Sequence, residues 1–359
     1  MISGLDKFTS LARPLIERAA NTTVDVLQSG AQALPASVRD RLPASVAQAH
    51  QGQRLLVTHM DPKDQLSISV KRIASIAEER GHQVVTARAD EISVQGRTVK
   101  AEGRSLGAFD GVVVRGGADH NPQALEGLRA LEGAGYRLTN DAKTIALVAD
   151  KGLVADKLLA KGLPHPPTVS IRPGTHDQVH ERVVSTLKTL GDGPLVVKPI
   201  SGKGGASVMF LDKTSTVGLR SIVDAVMSKT EGTGFAVQQW MKKGTGKDVR
   251  VYVYTTPENE LVAAMAGMKR TAGKGQGAAN VANGGVSARA RTTPELREKA
   301  IEAARLTGVK FGAVDFIDGD AGKVIVELNT SPGVGKNLTQ KIGFDHGKTI
   351  VDYALAPAR

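Results

Sequence analysis

Two short stretches of the 359-residue chain gather residue types that do chemistry together. The first runs Val197-Lys198-Pro199-Ile200-Ser201-Gly202-Lys203-Gly204-Gly205-Ala206-Ser207. An apolar run ends in a lysine, and the loop after it carries glycines, serine and a second lysine. Glycines let the backbone approach a phosphate closely, and free N–H groups then cradle it. Lysines add point charges. Lys198, Lys203, Gly204 and Gly205 are therefore candidates for phosphate contact, although a glycine-rich loop alone often marks only a turn. It is not a Walker A loop. The one GKT, Gly347-Lys348-Thr349, lacks a glycine at position 342 and lies near the C-terminal end.

The second stretch is Val314-Asp315-Phe316-Ile317, followed by Val324-Ile325-Val326-Glu327-Leu328-Asn329-Thr330-Ser331-Pro332-Gly333. Glu327 and Asn329 are two apart, so they share one face of a strand. Gly319-Asp320-Ala321-Gly322 reads as a hairpin turn that brings Asp315 beside them. Three oxygen ligands then converge, which suits Mg²⁺: few protein carboxylates, with phosphate and water completing the octahedron. Read as ordinary structure, Asp315 flanks a turn and Glu327 solubilises an edge. Against that, Glu327 lies inside an apolar run, where an unpaired carboxylate costs several kcal/mol, roughly the penalty of burying an ion. A third candidate is Arg115, which leaves the end of an apolar run with Gly116 and Gly117. It either clamps a substrate carboxylate or is a plain surface arginine.

These groups need elements to hold them. Leu55–Thr58, Gln83–Thr86 and Gly111–Arg115 read as strands, and Ile68, Val70, Ile73 and Ile76 mark a helix that ends near Gly81. Strands alternating with helices predict a small parallel α/β unit, with ligands at the carboxyl ends of its strands. Residues 143–162 have the pattern of one helix, stopped by Pro164, Pro166 and Pro167. Leu195–Lys198 and Val208–Leu211 read as strands, with a helix from about Ser215. Residues 1–53 stand apart. Leu5, Phe8, Leu11, Leu15 and Ala19 follow helical spacing, and the extension reads as a packing arm. The expected division is 1–53 extension, 54–140 α/β domain, 141–235 subdomain with the glycine-rich loop, and 236–359 subdomain with the metal site.

Composition narrows the classes. Hydrophobic residues make up 41% and aromatics 3%, so the core should be aliphatic. There is no cysteine, which removes disulfides, thiolate catalysis and zinc–thiolate sites. No long apolar run or secretory signal is evident, so no membrane partner and a cytoplasmic location are expected. The net charge of +11 raises nucleic acid as a partner. Stacking aromatics and known nucleic-acid motifs are lacking, and an anionic nucleotide or an acidic substrate accounts for the charge as well. Two lysine-bearing elements with a metal site imply a nucleoside triphosphate.

The ordered set of these motifs, from about Arg54 to the end, resembles the ATP-grasp ligases of the RimK-type amino-acid ligase and bacterial glutathione synthetase group. The resemblance implies an α/β ATP-grasp fold: a small parallel α/β domain followed by two α+β subdomains that grip ATP. It implies ATP and Mg²⁺ as cofactors, with Mn²⁺ as a substitute. VVKPISGKGGAS resembles the family's phosphate-covering loop. Asp315, Glu327 and Asn329 match its metal ligands, and Asn329-Thr330-Ser331-Pro332-Gly333 its N-x-S-P-G continuation. Lys151 and Lys198 match lysines that reach the nucleotide, and Gln239 and Trp240 fall at a hinge whose backbone reads adenine. Asp248 falls at a ribose contact, and Arg250 is the arginine of the same motif. Asn280, Gly284 and Gly285 also match.

The chain departs from the pattern at Ala278, where relatives carry an arginine two residues before the asparagine. Arg270 or Lys274, from the loop, would have to supply that charge. The implied reaction is phosphorylation of a carboxylate, with Arg250, Lys203 and Asn280 at the reacting groups. Capture by an amine from an amino acid, peptide or protein follows, under the loop as a lid. A homo-oligomer is also expected. The alternatives are an ATP-binding regulatory protein with little ligase activity, supported by Ala278, and a nucleic-acid-associated protein, supported by charge alone.

Overall fold

The computed structural model describes residues 52–62, 65–116, 121–190, 193–200, 208–211, 224, 227–228, 234–274, 279 and 284–357. The arm expected within 1–53, the helix from Ser215, Lys203, Gly204, Gly205 and Asn280 lie essentially outside them. Gly52–Arg359 make up one compact unit.

The chain enters through β1 (Arg54–His59), α1 (Ile68–Glu78) and β2 (Gln83–Arg88), then a meander of β3 (Ser93–Gln95), β4 (Thr98–Ala101) and β5 (Arg104–Gly107), and β6 (Gly111–Val114). The β2-β1-β6 sheet is parallel, as the strand–helix alternation predicts. Strands β1 and β6 are largely apolar on both sides because both sides are covered. Leu55, Val57 and Val113 pack under Val70, Ile73 and Ile76 of α1. Leu56 and Val112 pack on the other side against α2 (Pro122–Gly133) through Ala124, Leu128 and Leu131. Each such side chain contributes roughly 1.5–3 kcal/mol by leaving water. The meander was not foreseen; Gly96 and Gly103, both at positive φ in its turns, were its visible signal.

The single helix read over 143–162 is two: α3 (Ala142–Ala149) and α4 (Lys151–Ala160). Asp150 breaks it. Its carboxylate accepts from Gly152 N and Leu153 N, both at 3.1 Å, and so caps a new helix in competition with continuing the old one.

Next come β7 (Thr168–Ile171), α5 (His176–Leu190), β8 (Leu195–Pro199), β9 (Met209–Leu211) and β10 (Phe235–Gln239), joined as an antiparallel β7-β10-β8-β9 sheet. The third part holds β11 (Lys247–Thr255), β12 (Leu261–Ala263), β13 (Ala266–Thr271), β14 (Val286–Arg291), α6 (Pro294–Thr307), β15 (Phe311–Gly319), β16 (Gly322–Asn329), α7 (Lys336–Ile342) and α8 (His346–Leu355). Its sheet runs β14-β13-β11-β15-β16, with β12 on β11.

Alternation divides this sheet by chemistry. Val251 and Val253 of β11, with Val314 and Phe316 of β15, bury against Leu296, Ala300 and Ala303 of α6 and Val154 and Leu158 of α4. The intervening residues Asp248, Arg250, Tyr252 and Tyr254 therefore occupy the other face. α6 is well delimited: Thr293 Oγ1 caps Leu296 N at 3.3 Å, and Gly308 ends the helix at φ 80°.

Candidate active site

The lysine side of the site is built from β8 and the start of α4. Lys198 sits on β8 with 9% exposure, and its Nζ donates to Gln238 Oε1 on β10 at 3.0 Å. Gln238 Nε2 in turn donates to Thr168 Oγ1 on β7 at 2.7 Å. This chain crosses three adjacent strands. Lys198 has no carboxylate as a direct partner among the described residues, and burial together with Lys151 pushes its pKa down to about 8, against a weaker pull from Glu327. Burial, aided by Lys198, also pushes the neighbouring His165 down to about 4, so that imidazole is neutral.

Lys151 opens α4, with Nζ 2.8 Å from Ile200 O, the carbonyl at the foot of the glycine-rich loop. Its flanking residues are locked to β7: Ser170 Oγ donates to Asp150 Oδ1 at 3.0 Å and accepts from Gly152 N at 3.0 Å. A Cβ at Gly152 would lie 2.1 Å from Ser170 Oγ, so only glycine lets the helix come this close. The two lysines are thus brought together from elements 47 positions apart.

The acidic side is a cross-strand row. Arg250 pairs with Asp315 across β11 and β15, and Asp315 pairs with Glu327 across β15 and β16. In the next row Tyr252 faces Ala313, which faces Asn329. Asp315 is 1% exposed and held by two arginines. Arg250 Nε donates to Oδ1 and Arg250 Nη2 to Oδ2, each at 2.7 Å, and Arg270 Nη2 also donates to Oδ2 at 2.7 Å. Burial alone would raise the Asp315 pKa, but the two guanidiniums override it and hold the carboxyl below its ordinary value. Burial likewise opposes the Arg250 charge, and Asp315 overrides it, so Arg250 is raised. Glu327 is only half-buried, so the deep carboxylate of the pair is Asp315, in mid-strand, and not Glu327 as the apolar run suggested. Asn329 Oδ1 accepts from Ser331 N at 2.8 Å, which starts the Thr330–Gly333 turn.

Several expected residues take other places. Asp248 lies in the ion network: Arg270 grips both its oxygens, at 2.7 and 2.6 Å. Burial and the nearby Asp315 push Asp248 up to about 6, with Arg270 pulling the other way. Its carboxylate is thereby committed to protein, which leaves the ribose expectation without support from its position. Arg270 belongs to β13 and not to a loop, with register Asp248↔Arg270. Lys274 is exposed, just beyond β13. At the hinge, Gln239 N donates to Pro167 O at 3.0 Å and Trp240 N to Pro194 O at 2.8 Å, so adenine would have to be read by other main-chain atoms there. The Trp240 ring lies 5.0 Å from Phe210, and its Nε1 donates to Thr245 Oγ1 at 2.7 Å.

Arg115 is not a surface residue. It is 4% exposed at the end of β6, and Nη2 donates to Pro332 O at 2.5 Å, while Nε has no partner among the described residues. Burial pushes its pKa down to about 10, against Asp61. Sequence reasoning missed Gln238 as the Lys198 partner, and Arg270 as a direct partner of Asp315. Neither had a local signal beyond being a polar residue in an apolar strand.

Among the described residues no three His, Cys, Asp or Glu cluster as a metal site. The set here is two carboxylates and an amide, all hard oxygen donors, which is the composition Mg²⁺ takes when phosphates and water supply the rest. Asp315 Oδ1 accepts one hydrogen bond and keeps a lone pair, and Glu327 has no ion-pair partner among the described residues, so the donors fit. Among the same residues no helix is long and apolar enough to cross a membrane.

Residues 148–354 match the RimK-like ATP-grasp domain family. A probable alpha-L-glutamate ligase 2 from Shewanella baltica is 30% identical over 289 residues, which cover 79% of this chain and 90% of the relative. The crystal structure of a RimK domain ATP-grasp protein from Sphaerobacter thermophilus superposes with a TM-score of 0.57 at 19% identity, covering 84% of this chain and 99% of the other. The ATP-grasp ligase PsnB, solved with minimal precursor, Mg and ADP, gives 0.56 at 18% identity, covering 84% and 97%. The parallel and antiparallel sheets with their helices are those of the ATP-grasp fold. With more than half its length matched to that family, the chain belongs to the RimK-like ATP-grasp family, whose members are ATP-dependent ligases.

Proposed function

We propose that this chain is an ATP- and Mg²⁺-dependent ligase that joins a carboxylate to an amine through an acyl-phosphate, with Mn²⁺ able to replace Mg²⁺. One observation carries the reading. Asp315 and Glu327 stand directly opposite one another on paired strands, where like charges repel. Among the described residues a side chain neutralises only Asp315 directly, and Glu327 acts electrostatically on Lys198 and Arg250 without an ion pair of its own. Such an arrangement is poised for a cation held between triphosphate and protein.

Asp315, Glu327 and Asn329 would hold the metal, which supplies charge neutralisation at the phosphates and in-line orientation. Lys198 and Lys151 bind the nucleotide's phosphates. Arg250 stands beside the metal carboxylates, where its guanidinium stabilises charge that develops on the transferred phosphoryl group. A substrate carboxylate oxygen attacks the γ-phosphorus, and ADP leaves. The amine then attacks the acyl carbon, loses a proton and expels phosphate. The loop with Lys203, Gly204 and Gly205 keeps water from the acyl-phosphate in this reading.

Arg115 is the candidate for the substrate carboxylate, since a buried guanidinium whose Nε and charge have no direct partner among the described residues is costly without an anion. Arg270 stands in for the arginine absent at Ala278, and Lys274 is a further candidate at the mouth. The relatives' names make glutamate the first amine or acid to try, with peptides and protein termini next. On this reading the partners are the carboxylate and the amine and not nucleic acid, the cytoplasm is the expected location, and a homo-oligomer is the expected assembly.

The test is phosphate release from ATP with amino acids and short peptides, alone and in pairs, followed by mass spectrometry. The expected result is release that needs both a carboxylate and an amine, with a product of summed mass less one water. ATP binding with no amine-dependent release would favour the second reading, a regulatory ATP-binding protein. Ala278 is the feature that supports that reading.

A further inference from the structure

The segment just after the metal-binding strand is held from outside its own sheet, one residue at a time. Asn140 Nδ2 donates to Thr330 O at 3.0 Å, Gly116 N donates to Ser331 Oγ at 2.8 Å, and Arg115 Nη2 donates to Pro332 O at 2.5 Å. All three donors belong to the segment from β6 to α3. Asn140 does more than the other two. Its Nδ2 also donates to Phe311 O at 2.7 Å, and its Oδ1 accepts from Lys310 N at 2.9 Å and Phe311 N at 3.2 Å. Two donors and two acceptors are all that a carboxamide has, so this 1% exposed side chain is completely used.

Its position explains the demand. The β15–β16 ladder ends at the Ala313↔Asn329 pair, with Thr330 one residue and Phe311 two residues beyond it. The end of β15 is also held by β11 through Tyr254, but β16 is the edge strand, and without the clip its end would come away and Asn329 would lose its place relative to Asp315. The clip is itself anchored. Leu138 bridges to Val112, and Thr139 Oγ1 accepts from Val114 N at 3.0 Å, which makes the residues before Asn140 an added edge of the parallel sheet.

We infer that Asn140 is a positioning residue: it closes the open end of the β15–β16 ladder and so sets Asn329 for the cation, linking the α/β sheet to the metal site. This rests on the reading of Asp315, Glu327 and Asn329 as the cation's ligands. Asn140→Asp keeps the shape but turns both donors into acceptors that face carbonyls. Asn140→Ala removes the clip.

The measurement is Mn²⁺ affinity of the full chain in the presence of ADP, read from the paramagnetic resonance of free Mn²⁺. ADP affinity without metal is followed in parallel by fluorescence of Trp240, the one tryptophan. Both variants should weaken Mn²⁺ by roughly 10- to 100-fold, the usual effect of losing a partner that orients a metal ligand. ADP affinity without metal should stay within about twofold. Thr307→Ala serves as a control for lost stability alone, because that buried hydroxyl bonds only within α6.

Mn²⁺ affinity unchanged in both Asn140 variants, or lowered no more than in the control, overturns the inference. Should neither Asn140 variant fold, Ser331→Ala decides: removing the neighbouring tie is expected to weaken Mn²⁺ severalfold, and wild-type affinity there overturns the proposal. A wild-type chain that binds no Mn²⁺ with ADP would sink the metal reading itself, and this inference with it.

Discussion

Replacing Lys198 by methionine keeps the length of the stem and removes the ammonium. In the folded chain this ammonium is buried beside Lys151, and its pKa falls from 10.5 to about 8. At 1.36 kcal/mol for each tenfold change, that displacement amounts to about 3 kcal/mol of penalty on the folded state at neutral pH. The variant removes the penalty but leaves Gln238 Oε1 without its 3.0 Å donor, a loss of about 1–2 kcal/mol. The net expectation is a nucleotide-free protein about 1–2 kcal/mol more stable than wild type at pH 7.

The pH dependence is specific. Above 10.5 the lysine is neutral in both folded and unfolded chains, and no penalty exists. As pH falls from 10.5 to about 8, the unfolded lysine gains its proton first and the wild type loses stability. Below 8 the difference is constant. The advantage of Lys198→Met should therefore grow from pH 10 down to pH 8 and then level off. Nucleotide affinity should move the opposite way, weaker by about 1.5–3 kcal/mol, the worth of a charged hydrogen-bond partner. Denaturant unfolding across that pH range and calorimetry with ATP measure both. A variant that is less stable at pH 7, or one that binds ATP normally, would refute the reasoning that this strained cation is kept for the nucleotide.

Other outcomes follow from the same geometry. Glu327→Gln should lower kcat by roughly 10²-fold or more, the scale of losing a principal electrostatic group. Normal turnover at modest Mg²⁺ would remove Glu327 from the metal set. Arg270→Met leaves Asp248 buried without its partner and should cost about 3–5 kcal/mol in denaturant unfolding. Restoring most of that loss with Asp248→Leu in the same chain checks the cause, and a double variant no better than the single one counts against it. Asp150→Ala should cost about 2 kcal/mol by uncapping α4 and freeing Ser170, and Asp150→Asn, which keeps the capping oxygen, less than half of that. Equal losses for the two would show that charge, not capping, holds the helix start.

Read from its own residues, this sequence carries the face on which each group stands. Glu327 and Asn329 share a face because strand alternation is local, and the parallel β2-β1-β6 unit follows from short apolar runs that alternate with a helical pattern. The glycine-rich stretch after Lys198 is equally plain as a pattern. Register and partners are another matter. Which residue faces Asp315 across two strand boundaries depends on how β11, β13, β15 and β16 align, and alternation does not specify alignment. Arg250 and Arg270 meet one carboxylate only through that alignment. Asn140 clips residues 170 and more positions away, with nothing nearby in sequence to announce it. Burial also changed the meaning of single residues. Arg115 became an interior cation and Asp248 a member of an ion network, because the packing of whole elements sets depth, and depth sets what a charge costs.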